Sequence, residues 1–248
     1  PDGPERDGLM ALAYHDGVGV DINYDKAFEY AERAAELDEG VALYLLGYMC
    51  ENAETPDQAY GGPRQKYDHY DAETFMERCA ATTSAWAEPA HMWLGDYYMD
   101  SARGGDPEVG LEHYEAIAEE NTEATSKLSD YYWDRAEGFG FQDEETNELC
   151  YKWSLAAVIK DPYNYSFRHA SLLSRGVGCN PSFRLARKYY EDAYDFGMWE
   201  AAAAIADMYS SRALEEGRTE EEIEKCIRES ASWQRLADRQ RARSRSKD

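Results

Sequence analysis

Basic residues are scarce in this chain of 248 residues, which has 26 lysines and arginines against 50 aspartates and glutamates. The resulting formal charge of −24 repels the phosphate backbones of DNA and RNA, so the composition argues against nucleic-acid binding through a broad basic face. The electrostatically favoured partner is a basic protein or peptide. The alternative is an acidic surface that serves solubility alone.

Long apolar runs and paired cysteines are missing as well. No stretch approaches the roughly 18 apolar residues that a membrane-spanning helix needs, so we predict no membrane partner. The five cysteines are an odd number without short paired spacings, which favours reduced thiols and a cytoplasmic protein. Because the sequence begins at Pro1 and not at Met, a removed N-terminal signal stays open as an alternative.

Local motifs for chemistry are also absent. The five histidines are spread along the chain, and the sequence has no His-x3-His pair, no Cys-x2-Cys pair and no Gly-x-Ser-x-Gly elbow. Two Gly-x-Gly sequences, at 17–19 and 176–178, lack the third glycine of a nucleotide loop, and we predict that they end helices. We therefore predict no catalytic residue, no metal and no cofactor. The alternative is a site assembled from residues that are distant in the sequence, which local motifs do not detect.

A pattern of small, apolar and aromatic residues recurs six times. In its four clearest copies an alanine precedes a leucine or isoleucine by four residues, and a small residue follows at once. These copies are Ala42-Leu46-Gly47, Ala90-Leu94-Gly95, Ala124-Leu128-Ser129 and Ala201-Ile205-Ala206, with weaker ones near Met10 and His169. Each copy precedes a second segment of small and aromatic residues at spacings of three and four. The pattern predicts stacked helix pairs, since one pair cannot bury its own apolar face.

The run from Met10 to Ala35, MALAYHDGVGVDINYDKAFEYAERAA, resembles the Sel-one-like repeat, a variant of the tetratricopeptide fold. The Gly-x-Gly-Val loop at 17–20, the Lys26-Ala27 helix start and the terminal Ala34-Ala35 carry this resemblance. It implies an all-α, right-handed superhelical solenoid of about six antiparallel helix pairs. We expect one domain over 1–237, with units near 6–41, 42–89, 90–123, 124–164, 165–200 and 201–237, and a basic tail over 238–248.

Two segments lengthen the repeats. The polar segment 51–70 is either a binding loop or an unselected flexible one. In the segment EGFGFQ, at 137–142, we predict that Phe139 and Phe141 pack in the protein, because buried aromatics are commoner than aromatics that contact a partner. The arginine-rich segment 235–248 is predicted to be a frayed helix end and solvated tail that complements the acidic body of the protein, and the alternative is a clamp for RNA or acidic lipid.

The resemblance also implies where a partner lies, because the first helix of each tetratricopeptide-like unit lines the concave surface. That rule selects the partner-binding candidates Tyr44, Tyr48, Asp96, Asp100, Asp130, Trp133, Asp134 and Asp207. Two pairs of these aspartates stand one helical turn apart, and such pairs are stabilised by an incoming lysine or arginine. Aromatic candidates add cation–π contacts with the same partner. The alternative is a solvated acidic face with partly buried aromatic residues.

We therefore expect a non-enzymatic scaffold that binds an unknown protein or peptide of basic character in an acidic concave groove. One alternative is an enzyme or small-molecule binder whose site is assembled from several repeats. Another is a self-assembling protein in which end helices or the segment 51–70 bind a second copy, although we do not predict an oligomer.

Overall fold

The computed structural model describes residues 3–52, 54 and 69–245. Over these residues the chain forms twelve α-helices, one short 3-10 turn and no strand, which confirms the all-α prediction. Most of the segment 51–70 lies outside the described residues. The chain divides into two compact units, residues 1–120 and residues 121–248, each with its own helices. In the described part, no helix has the length and apolarity needed to cross a bilayer.

The first unit consists of three helix pairs in its described residues. The helices are α1 (Pro4–Asp16), α2 (Tyr24–Ala35), α3 (Gly40–Glu51), α4 (His69–Ala80), α5 (Ala87–Met99) and α6 (Pro107–Ile117), with the 3-10 turn Ser101–Arg103 between the last two. Each helix packs on its pair mate, and α2 on α3, α1 on α3, and α4 on α5 join successive pairs.

The second unit repeats this arrangement. Its described helices are α7 (Thr122–Gly138), α8 (Glu144–Lys160), α9 (Pro162–Arg175), α10 (Phe183–Asp195), α11 (Trp199–Ala213) and α12 (Glu220–Arg245). Contacts of α8 with α9 and of α10 with α11 join the three pairs. Helix α12 runs through position 238, where we expected the tail to begin, and continues to Arg245. Residues 246–248 lie outside the described part.

The recurring small and apolar residues are packing positions. The signature residues Leu46, Leu94, Leu128 and Ile205 are all fully buried, as are the alanines four residues before each of them. Small residues let the paired helix approach closely. A Cβ added at Gly95 would lie 2.3 Å from the Tyr114 ring, and one at Gly47 would lie 2.9 Å from the Met76 side chain.

Side-chain caps fix where most helices start. Asn23, Asn121 and Asp143 each accept a hydrogen bond from the backbone amide three residues on, at 3.0, 2.8 and 2.9 Å. At the other end, Gly17 and Gly176 close α1 and α9 in the left-handed conformation, with φ of 72° and 70°. The two Gly-x-Gly sequences therefore end helices, as predicted.

In the segment 137–142, one of the two phenylalanines packs in the protein and the other is exposed. Phe141 packs edge-on against Trp133, with ring centroids 5.7 Å apart, and Arg175 lies 4.3 Å from its centroid. Phe139 is 53% exposed, so the prediction that it packs in the protein is wrong. Phe139 follows the end of α7, where the chain turns through Gly140 and Phe141 with positive φ, and that turn leaves its ring outside.

Candidate functional site

An acidic cleft lies in the first unit, where the end of α3 meets the end of α5. Its six lining residues are Glu51, Trp93, Asp96, Tyr97, Asp100 and Arg103, around a volume of about 210 Å³. Glu51 comes from α3, Asp96 lies on α5, and Asp100 directly follows the last residue of α5. The structure thus brings the predicted pair beside a third carboxylate.

Arg103 already occupies part of the acidic cleft. Its guanidinium donates to both oxygens of Glu51, at 3.2 and 2.7 Å, and its Nε lies 3.3 Å from Asp100. The guanidinium carbon lies 5.5 Å from the ring centroid of Tyr97. These are the bidentate and stacking contacts that suit a guanidinium better than an ammonium group. The sequence interpretation missed Arg103, whose only local signal is its position three residues after Asp100.

Short contacts position the aspartates of the cleft. The Tyr114 hydroxyl donates to Asp96 at 2.6 Å, across the close approach that Gly95 permits. Asp100 ends α5 and accepts from the Ala102 amide at 2.9 Å, which caps the 3-10 turn. Both carboxylates remain exposed to solvent. The pair is therefore anchored to the fold and still accessible to a partner.

The second acidic pair lies on α7 in the second unit, and it too has an internal arginine. Asp130 forms an ion pair with Arg168 of α9, whose guanidinium carbon lies 5.4 Å from the Trp133 ring centroid. The Tyr165 hydroxyl donates to Asp130 at 3.4 Å. Asp134, one turn further along α7, is exposed. Three predicted residues, Asp130, Trp133 and Asp134, therefore share this helix, and Arg168 supplies the basic group that we expected from a partner.

The remaining candidates lie elsewhere. Tyr44 packs against Trp86, with centroids 4.9 Å apart, and its burial raises the pKa of its hydroxyl. Tyr48 is 41% exposed and lies edge-on to His15. Neither tyrosine lines the acidic cleft. Asp207 lines a different cleft in the second unit, of about 550 Å³, together with Arg175 and Arg212.

Acidic charge is concentrated in the first unit. Residues 1–120 hold 27 acids and 7 bases, a formal charge of −20, whereas residues 121–248 hold 23 acids and 19 bases, a formal charge of −4. The first unit thus presents the stronger field to a basic partner. The whole-chain charge concealed this asymmetry.

Titratable groups with shifted pKa values lie mainly in packed positions. His91 and His113 bring their Nδ1 atoms within 3.0 Å, and burial lowers the pKa of each. Local spacing missed this pair because 22 residues separate its members. Burial raises the pKa of the Cys79 thiol to about 12 and that of Cys150 to about 11, which disfavours thiolate formation. No group of three or more potential metal ligands occurs among the described residues.

Comparisons with known proteins identify the repeats. The Sel1 repeat family model matches residues 7–39, 40–60, 89–121 and 164–195. The crystal structure of a Sel1 repeat protein from Oxalobacter formigenes has a similar fold, with 18% identity, a TM-score of 0.50, and coverage of 95% of this chain and 85% of that one.

A second solved structure is a protective antigen of uropathogenic Escherichia coli strains that displays the same kind of repeat fold. It has 17% identity and a TM-score of 0.48, and the match covers 97% of this chain and 55% of that one. No curated protein matches the chain.

Proposed function

Because four segments of this chain match the Sel1 repeat model, and Sel1 repeat proteins are generally protein–protein interaction scaffolds, we propose that it binds a basic protein or peptide through its acidic pairs. The first pair is Asp96 with Asp100 in the acidic cleft, and the second is Asp130 with Asp134 on α7. Each acidic pair binds arginine side chains of the partner, the first pair on the first unit and the second pair on the second unit. The proposed role is binding without catalysis.

The occupancy of the acidic cleft by Arg103 is the observation that supports this proposal most directly. Glu51, Asp96 and Asp100 give the cleft three carboxylates, and Arg103 supplies one positive charge, so the cleft keeps a formal excess of two negative charges. Tyr97 and Trp93 add aromatic surface on which a second guanidinium can stack. The Arg103 side chain is 43% exposed, so its ion pairs are screened and a competing arginine can replace it at small cost.

Reversal of one charge in each pair is expected to weaken binding of a short arginine-rich peptide by about tenfold. The variant is Asp100→Lys with Asp134→Lys, and peptide affinity is measured by fluorescence anisotropy at two salt concentrations. The matched control, Asp21→Lys with Glu216→Lys, changes the net charge equally at exposed positions, one in each unit. We expect less than about a twofold loss in this control, because distant surface charges are screened.

Equal affinities of the test and control variants would contradict the proposal. Asp100 also caps the 3-10 turn, so circular dichroism must show that the double variant is folded. Asp134→Lys alone avoids that complication, since Asp134 is exposed and caps no helix. The single variant is expected to lose affinity in the same direction and to a smaller extent.

Removal of the internal arginine is expected to strengthen binding. In Arg103→Gln the acidic cleft loses its internal guanidinium, so the peptide no longer competes with it, and we expect about a threefold to tenfold gain in affinity. Unfolding cannot produce a gain, which makes this measurement independent of any loss of stability. Arg33→Gln is the control, because Arg33 pairs with Asp7 outside the cleft. Unchanged affinity in Arg103→Gln would remove the acidic cleft from the proposal.

A further inference from the structure

The end of helix α12 carries a basic face on a chain that is otherwise acidic. Arg235, Arg239 and Arg243 follow one another at intervals of one helical turn, and all three are exposed. Arg239 and Arg243 border a shallow cleft of about 340 Å³ together with Tyr194 and Asp195. We name the face formed by these three arginines the basic stripe.

Two arginines of the basic stripe differ from several arginines elsewhere in the protein. Arg33, Arg78 and Arg168 each form an ion pair with an aspartate outside their own helix. In the described part of the chain, neither Arg235 nor Arg239 forms an ion pair. Two exposed guanidinium groups one turn apart present the donor pattern that carboxylates bind bidentately.

An acidic protein surface suits the basic stripe better than nucleic acid or an anionic membrane. Nucleic acid and an anionic membrane are both larger than the surface formed by three arginines. Their negative charges would therefore also lie near the acidic surface around the stripe, on a chain that carries −24 overall, and would be repelled by it. A compact acidic patch reduces that repulsion, because it contacts the stripe over a small area and the remaining charges are screened by salt. The chain itself supplies such a patch, at the same concentration as the stripe, in its first unit with a formal charge of −20.

We propose that the basic stripe of one copy binds the acidic cleft of a second copy. This inference rests on the proposed function, because it names a second copy as a basic partner of the same cleft. Arg103 gives the model for the contact, with a guanidinium paired to Glu51 and Asp100 and lying over Tyr97. Arg235 and Arg239 of the other copy make the equivalent contacts, with Asp96 as an additional acceptor.

Ionic strength decides whether local attraction exceeds the repulsion between two acidic molecules. The Debye length is about 10 Å at 0.1 M salt, so most charges on the two copies are screened from each other while ion pairs at contact distance persist. We therefore expect self-association near 0.1 M salt and its loss when the salt is raised severalfold. Two reciprocal contacts close a dimer, whereas one-way contacts extend into larger assemblies.

Sedimentation velocity over a wide range of protein concentrations tests the proposal. The full chain is expected to self-associate near 0.1 M salt, and Arg235→Glu with Arg239→Glu is expected to weaken association by at least about tenfold. The matched control is Lys225→Glu with Arg228→Glu, which makes the same charge change on an earlier part of α12. Equal weakening in both variants, or a monomer at every concentration of the unaltered chain, would overturn the proposal.

A charge swap gives a positive test that unfolding cannot imitate. Asp96→Lys with Asp100→Lys makes the cleft basic, and this variant, like the stripe variant, should not associate with itself. When the two variants are mixed, acidic stripe meets basic cleft and basic stripe meets acidic cleft, so the mixture should form mixed complexes. Absence of mixed complexes between two folded variants counts against the contact.

Peptide binding separates failure of this inference from failure of the proposed function. The stripe variant keeps its acidic cleft, so it should bind the arginine-rich peptide as well as the unaltered chain does. A monomeric protein that binds the peptide at its cleft would overturn self-association and leave the proposed function intact. Self-association without peptide binding at the cleft would contradict both, since the inferred contact uses that cleft.

Discussion

Replacement of Gly178 by alanine is expected to destabilise the second unit by about 3 kcal/mol or more. Gly178 has a φ of 65°, a left-handed conformation in which an alanine is strained. Its added Cβ would also lie 2.0 Å from the backbone oxygen of Asn147 and 2.5 Å from the carbonyl carbon. Those atoms belong to the backbone of α8 and cannot rotate away, so the loop after α9 must move.

Gly19 provides a matched control, because it occupies the same place in the loop after α1. Its φ is 76°, and no atom lies within 4 Å of the position a Cβ would take. Gly19→Ala therefore incurs the left-handed strain alone, which costs about 1 kcal/mol. Chemical denaturation of both variants, followed by circular dichroism, measures the difference. Equal losses of stability would mean that the loop of Gly178 does not pack on α8 as described.

The two glycines show which part of the fold was predictable. Positive φ at both follows from the Gly-x-Gly sequence and its place after a helix, and the structure confirms it. The contact of Gly178 with Asn147 involves a residue 31 positions earlier, so no local pattern specifies it. Helix pairs and their buried faces follow from spacings of three and four, whereas the distance between neighbouring pairs depends on side chains from both.

The acidic pairs were predictable for the same reason. Asp130 and Asp134 share a face of α7 because they are four residues apart, and Asp100, directly after the end of α5, lines the same cleft as Asp96. The basic partners of these aspartates were not predictable, since Arg103 lies in a 3-10 turn after α5 and Arg168 comes from α9, 38 positions after Asp130. The contact of Tyr44 with Trp86 was not predictable either, since the next helix pair brings the two ring centroids to a distance of 4.9 Å.

Replacement of His169 by leucine is expected to abolish a large part of the acid sensitivity of the second unit. His169 is 1% exposed and stands at the repeat position that holds leucine or isoleucine in the four clearest copies. It lies between Tyr151 and Tyr189, and its Nδ1 is 3.1 Å from the Ser154 hydroxyl. Burial lowers the pKa of its imidazole from 6.5 to about 4.

The pKa of His169 is lower in the folded chain than in the unfolded chain. The stability that His169 contributes is therefore fully present above the unfolded pKa and is lost as the pH falls towards the folded pKa. The unfolded chain takes up a proton near pH 6.5, whereas the folded chain resists protonation until about pH 4. Between these values the free energy of unfolding should fall by about 3 kcal/mol on account of His169 alone. The lowered pKa values of Asp7 and Glu222 act in a more acidic window, below their ordinary values of 3.8 and 4.5.

Denaturation of the unaltered chain and of His169→Leu at pH 7 and pH 4.5 measures this contribution. At pH 7 the variant should differ by about 1 kcal/mol, since it loses the hydrogen bond with Ser154 and keeps an apolar side chain of suitable size. At pH 4.5 it should be the more stable of the two. Burial also lowers the pKa values of His91 and His113, but both histidines are present in either protein, so their effect cancels in the comparison.

The control for this comparison is His15→Gln, which removes a histidine from the first unit and leaves His169 in place. Between pH 7 and pH 4.5, the second unit of His15→Gln should lose about as much stability as the second unit of the unaltered chain. If His169→Leu lost as much stability on acidification as the unaltered chain, the imidazole would be protonated in the fold without penalty. That result requires water or a carboxylate beside His169, in a position where the structure places two tyrosine rings and a serine hydroxyl.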